Sequence, residues 1–164
     1  MRLMPRFLMA GAAVVMLAAP VAGQKADDQI NPRSVELLRE GEALLSAGKL
    51  VEADDALEGA LVVDPRNREA YNVMARVAQK QKLFGQAIRF TNKALTLEPN
   101  DRKALALQGE AMVELGATAR ARGNLEKLQR LCQGGCPEVA SLSAAINRGP
   151  SVAQAKAPPS PKTN

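Results

Sequence analysis

Apolar positions between Pro32 and Leu131 recur in runs that fit helices, and the runs themselves recur. Val35, Leu37, Leu38, Leu44 and Leu45 share the face of one helix, opened by Asn31 as cap and Pro32 as first helical residue. Gly48 ends it. A second helix runs from about Val51 to Val63, with Ala53, Ala56, Leu57, Ala60 and Leu61 on one face, and Asp64-Pro65 stops it. The same grammar returns in residues 68–101. Tyr71, Met74, Ala75 and Ala78 mark one helix, Phe84-Gly85 sits near the turn, and Ala87, Ile88, Phe90, Ala94, Leu95 and Leu97 mark the next. A third unit places Leu105, Gly109 and Met112 before Gly116, then Ala121, Leu125 and Leu128. Pro65 and Pro99, Ala53 and Ala87, and Ala60 and Ala94 are each separated by the same 34 residues. A fixed period of this size predicts an all-α solenoid of about three helix-turn-helix repeats, at about 34–67, 68–101 and 102–133.

Leu131-Cys132 and Cys136-Pro137 stand where the next repeat boundary is expected. Gly134 is a candidate helix-ending residue, and Pro137 suits the start of another helix. Residues 138–147 then place Val139, Leu142 and Ile146 on one face, which predicts a short helix capping the last repeat. The repeat domain is thus expected over 32–147. Residues 148–164, rich in Pro, Ala, Ser and Lys, read as a disordered tail, and 24–31 as a flexible lead-in.

Composition narrows the functional classes. Aromatics are 2% of the 164 residues, which suits close packing of helices through Ala and Leu better than a sheet core. There is no His and no Trp, so a His-based general base, a Ser-His-Asp triad and a His-ligated metal site are excluded. No Gly-rich phosphate loop or nucleophile elbow is present. The expected reading is therefore non-catalytic, with no cofactor and no metal.

The net charge of +5 resides mainly in the ends. Residues 32–147 hold 16 Lys and Arg against 15 Asp and Glu, which argues against a nucleic-acid partner. The charge is uneven along the repeats. The first carries 3 basic and 8 acidic residues, whereas the second and third each carry 6 basic and 3 acidic. A partner with its own charge gradient would be oriented by this difference.

Residues 1–23 have Arg2 and Arg6 before the apolar run Phe7 to Ala19, then Pro20 and small residues ahead of Gln24. This is the pattern of a cleaved signal peptide rather than a membrane span. It predicts export, to a bacterial periplasm, with no integral membrane span after cleavage. In an exported protein Cys132 and Cys136 read first as a structural disulfide. The competing readings are a thiol-disulfide enzyme using the pair and a metal site. The CxxxC spacing and the lack of His favour the bridge. Lys156 and Lys162 could touch anionic lipid or wall and envelope polymers, but an idle solvated tail is the preferred reading.

The repeated positions resemble the tetratricopeptide repeat family, in which a large residue, small residues and a proline recur through each unit. Leu37, Gly41, Leu44, Ala53, Leu57, Ala60 and Pro65 carry the resemblance in the first repeat, and Tyr71, Ala75, Ala78, Ala87, Thr91, Ala94 and Pro99 in the second. The third supplies Leu105, Gly109, Met112, Ala121, Leu125 and Leu128, but has Leu128 where a small residue is usual and Gln133 where proline is usual. Gly41, Ala75 and Gly109 are expected to admit the partner helix of their own hairpin. Tyr71 and Phe84 are expected to fill gaps beside small residues.

The resemblance implies a protein or peptide partner in a concave groove lined by the first helix of each repeat. Its residues here would be Leu38, Glu42 and Leu45, then Asn72, Arg76, Gln79 and Lys80, then Lys103, Ala106, Glu110 and Val113. Some members of the family grip the terminal carboxylate of heat-shock chaperones with a clamp of Lys, Asn and Arg. Leu38, Glu42, Val73 and Leu107 occupy most of those positions here and only Lys103 fits, so that role is disfavoured. The resulting expectation is an exported adaptor in cell-envelope assembly, with a self-associating structural protein as an alternative.

Overall fold

The computed structural model describes residues 29–151. Among these residues the chain forms seven helices and no strand. They are α1 (Pro32–Ser46), α2 (Leu50–Val63), α3 (Arg68–Lys80), α4 (Phe84–Leu97), α5 (Arg102–Glu114), α6 (Thr118–Leu131) and α7 (Pro137–Arg148). The signal-peptide reading of 1–23 and most of the lead-in and tail fall outside the described residues.

Each pair α1–α2, α3–α4 and α5–α6 is an antiparallel hairpin, and each hairpin stacks on the next. Helix α3 contacts α1 on one side and α5 on the other in an inner row, while α2, α4 and α6 form the outer row. Helix α7 packs on both α5 and α6, which is the place the inner helix of a further repeat would take.

The same turn closes all three hairpins. After α1 the amide N–H of Lys49 donates to Leu44 O and that of Gly48 to Leu45 O, with Gly48 at φ 75°. After α5 Ala117 donates to Met112 O and Gly116 to Val113 O, with Gly116 at φ 77°. These paired bonds satisfy carbonyls the helix end leaves open. The middle hairpin makes the same bonds, Leu83 to Ala78 O and Lys82 to Gln79 O, but with Lys82 at φ 62°. The turn-making residue there is thus Lys82, and Gly85 lies inside the first turn of α4 instead.

The starts of α1, α3 and α5 are capped by polar side chains. Asn31 Oδ1 accepts from Arg33 N, Asn67 Oδ1 from Ala70 N, and Asp101 Oδ1 from Ala104 N. Helices α2 and α4 end at extended Asp64 and Glu98, the conformation that a following proline favours.

Small residues set the helix spacing. A Cβ on Gly41 would lie 2.6 Å from Leu57 Cγ, so Gly41 admits its own hairpin partner α2. Ala75, Ala78, Ala87 and Ala111 form a tight cluster joining the second and third hairpins, with Phe84 packed beside it. Gly109 departs from expectation. A Cβ there would lie 2.6 Å from Leu142 Cδ1, so its emptiness serves α7 and not its own hairpin partner α6. Tyr71 stays half-buried beside Pro65 and Lys93, in a shallow hollow outside the core clusters. Leu128, at the place of Ala60 and Ala94, is fully buried and packs with Leu105 and Leu142. The apolar face of α7 supplies the remaining cover, with Val139 and Ile146 against the same cluster.

Cys132 and Cys136 are joined as a disulfide with Cα atoms 5.8 Å apart, linking the end of α6 to the start of α7. The left-handed residue in that link is Gly135, at φ 83°, not Gly134. Beyond the expected helix end, Arg148 still belongs to α7, and Gly149 caps it at φ 73°. Ser151 then donates from its backbone N and Oγ to Glu114 Oε2, at 2.8 and 2.6 Å, so the first residues assigned to the tail are held to α5.

Candidate peptide-binding cleft

The inner row frames a cleft of about 360 Å³. Helix α1 contributes Glu42; α3 contributes Glu69, Asn72 and Arg76; α5 contributes Lys103, Ala106, Leu107 and Glu110; α7 closes it with Pro137, Glu138 and Ser141. This size lies in the range of ordinary ligand sites. Helical spacing explains the selection. Glu69, Asn72 and Arg76 lie three and four residues apart on α3, as Lys103, Ala106, Leu107 and Glu110 do on α5, so each set shares a face.

Several contacts hold these side chains. Lys103 Nζ donates to Glu69 Oε1 at 2.7 Å, bridging equivalent positions of two repeats. Ser141 Oγ donates to Glu110 Oε1, tying α7 to α5 across the cleft. Asn72 is 1% exposed, and its Nδ2 donates to Asp101 Oδ2 at 2.9 Å. Arg68 Nη1 donates to the same oxygen, also at 2.9 Å. Asp101 thus caps α5 and fastens α3 to it. The other amide atom of Asn72, Oδ1, is buried without a partner, and so is Glu138 Oε2.

A second hollow of about 310 Å³ adjoins the first and shares Glu110. Gln79, Lys80, Lys82 and Arg148 line it with Phe84, Glu114 and Ser151. Here the cations Lys80, Lys82 and Arg148 gather at the ends of α3 and α7, where the helix dipole favours positive charge. Gln79 Nε2 donates to Leu107 O at 2.9 Å, so its amide fastens α3 to α5.

The structure thus brings Glu42, Asn72, Arg76, Lys103, Ala106 and Glu110 to one cleft and Gln79 and Lys80 to its neighbour. It does not bring Leu38 there. Leu38 is 9% exposed and packs with Leu45, Leu57 and Val73 in the core, because this part of α1 turns toward α2 and α3. Leu45 is buried in the same cluster, and Val113 on α5 is buried in another, with Met112, Ala121 and Leu142. Leu107, expected only as a clamp position, lines the cleft as well, and Glu69, Glu138 and Ser141 join it without a sequence expectation. The last two come from the cap, and the signal that α7 takes an inner-row place was the apolar face that covers α5.

One further carboxylate governs the edge of the array. Asp64 Oδ2 accepts from Asn31 N at 2.9 Å, and Oδ1 from Arg66 N at 3.0 Å and Arg66 Nε at 3.1 Å. The Arg66 side-chain bond, then the Asn31 amide, hold its pKa down at about 2. On α2, burial first, with Glu58 and Asp55 adding repulsion, raises Asp54 above the ordinary carboxylate value.

No protein-family model matches the chain. Solved structures similar to it are tetratricopeptide-repeat domains. The Sgt2 TPR domain from Aspergillus fumigatus is 21% identical with a TM-score of 0.66, covering 82% of this chain and 90% of that one. The first TPR of Spaghetti (RPAP3), bound to the HSP90 peptide SRMEEVD, is 22% identical with a TM-score of 0.64, covering 71% and 92%. The type III secretion translocator chaperone SycD of Yersinia enterocolitica is 17% identical with a TM-score of 0.63, covering 72% and 89%. This chain therefore has the tetratricopeptide-repeat fold. In sequence it is similar to the Cellulose synthase 2 operon protein C of Komagataeibacter xylinus, at 39% identity over 72 residues. That match takes in 43% of this chain and 5% of the larger protein's length.

Proposed function

We propose that the protein is an exported, non-catalytic adaptor that binds a protein or peptide segment in the inner-row cleft, as part of a bacterial cell-envelope assembly. The observation that carries the reading is the cleft itself. Four helices converge on it, and its polar lining includes Glu42 and Arg76, which make no ion pair among the described residues. The arrangement suits an extended segment, because the lining comes from successive inner helices. The leader-like residues 1–23 support export to the periplasm, and the similarity to a cellulose synthase operon protein supports an envelope setting. No described helix is long and apolar enough to cross a membrane. The Cys132–Cys136 bridge fits an oxidising compartment, where its role is to fasten α7 to the last hairpin.

The partner differs in charge from an acidic chaperone tail. The peptide SRMEEVD bound by the RPAP3 domain carries two Glu and a terminal Asp. The cleft here is lined by Glu42, Glu69, Glu110 and Glu138 against Arg76 and Lys103, and would repel such a segment. The neighbouring hollow has the opposite sign, so a partner spanning both is read in one orientation.

The test is recovery of partners by crosslinking in native cells, compared between the wild type and an Arg76→Glu/Lys80→Glu double variant. Loss of the principal crosslinked partner in the variant is expected. Recovery of the same partners in equal amount would exclude the cleft as their site.

A further inference from the structure

The two buried polar atoms left without partners at the cleft are both acceptors. Asn72 Oδ1 is one, and its identity as the oxygen follows from chemistry: Asp101 as a carboxylate can only accept, so the amide nitrogen must face it. Glu138 Oε2 is the other, on the first turn of α7 across the cleft. An unpaired buried acceptor is costly, and both residues that carry one line this cleft, so a donor entering between them would relieve the cost.

Charge specifies which donor. Of the four carboxylates, Glu69 is paired with Lys103 and Glu110 accepts from Ser141. Glu42 and Glu138 have no cation within ion-pair distance among the described residues. Arg76 lies one turn farther along α3 and also makes no ion pair there. A neutral donor such as a peptide N–H would satisfy Asn72 but leave the excess negative charge. A bare metal ion does not suit, because no three acidic or thiol groups among the described residues are placed to hold one.

We infer that the cleft between α3, α5 and α7 is a subsite for a lysine or arginine side chain of the bound segment, which donates to Asn72 Oδ1 and pairs with Glu138. This deepens the adaptor reading and rests on it. The apolar stem of such a side chain would lie on Ala106 and Leu107, while its charged end meets the acceptors. Asn72 is a positioning and binding residue at once, since the same amide fastens α3 to Asp101.

The probes are four acetylated and amidated Ala/Ser peptides that differ only at a central Lys, Arg, norleucine or Glu. Binding to the purified protein is followed by calorimetry and by the Asn72 side-chain amide resonances. The Lys and Arg peptides should bind about tenfold or more tightly than the norleucine peptide, with the Glu peptide weakest. The Asn72 resonances should move for the cationic peptides alone. Glu138→Gln, which keeps shape and removes charge, should erase most of the Lys preference while leaving the melting temperature unchanged. Asn72→Ala should erase it too, but can also loosen the Asp101 tie, so Glu138→Gln decides. Binding without preference for Lys or Arg, or a preference untouched by Glu138→Gln, overturns the subsite alone. Failure of every peptide to bind overturns both the subsite and the cleft reading.

Discussion

Leu142 occupies the space beside Gly109, approaching within 2.6 Å of where a Cβ would stand. Both Leu142 methyl groups crowd that point, and the side chain is fully buried. Gly109→Ala should therefore destabilise the protein by about 1–3 kcal/mol despite the better helix propensity of alanine. Leu142→Ala alone should cost about 2–5 kcal/mol. The double variant should be less destabilised than the sum, because the smaller residue removes the clash. Urea unfolding of the four proteins measures this cycle, and strict additivity would show that the two residues do not meet.

Asp64 makes stability depend on acid. Its folded pKa, about 2, lies below the ordinary carboxylate value of about 3.9. The depressed value means that its contribution is fully present above pH 4 and is lost as pH falls through about 2. Urea midpoints measured from pH 5 to pH 2 should fall over that window. Asp64→Asn should lower the midpoint at pH 5 and flatten the fall, with the two proteins converging near pH 2. A parallel decline of both would assign the acid sensitivity to other groups.

Lys82 stands at φ 62° where the equivalent turns use Gly48 and Gly116. It is exposed, so its side chain gives no packing in return. Lys82→Gly should stabilise the protein by about 0.5–1 kcal/mol, the left-handed strain relieved less the added freedom of the unfolded chain. A rise of a few degrees in melting temperature is expected. No change, or a fall, would show that the strain is absorbed elsewhere in the turn.

The Cys132–Cys136 bridge closes a short loop, for which chain entropy gives about 2 kcal/mol. Reduction should lower the melting temperature and first increase amide exchange in α7. The exchange of α1 to α4 should respond least, because these helices make few or no contacts with α7. Uniform loosening of the whole array would contradict this placement.

Much of the architecture was legible because each structural demand recurs with the period. Pro65 and Pro99, the paired alanines and the turn glycines state the same requirement twice or three times. Asn31-Pro32 and Val139, Leu142 and Ile146 announced a helix start and a covering face by local rules alone. The site was less legible. Leu38 was expected in the groove, yet the apolar stripe on α1 is wide enough that Leu38 joins the core. Glu138 and Ser141 were overlooked because a cap covers apolar surface first, and its second face becomes lining only once it takes an inner-row place. The burial of Asn72 depends on Asp101, 29 residues away, and spacing on one helix cannot announce such a tie.

The placement of α7 also sets a measuring length. With α7 in the fourth inner place, the cleft is bounded by α1 at one side and by the cap at the other. At about 8–10 Å between neighbouring helix axes, four inner helices span roughly 30 Å. An extended chain crosses that distance in about nine residues. Inserting one more hairpin between α4 and α5 would lengthen the stretch a partner must present, and would also part Lys103 from Glu69 and Asp101 from Asn72.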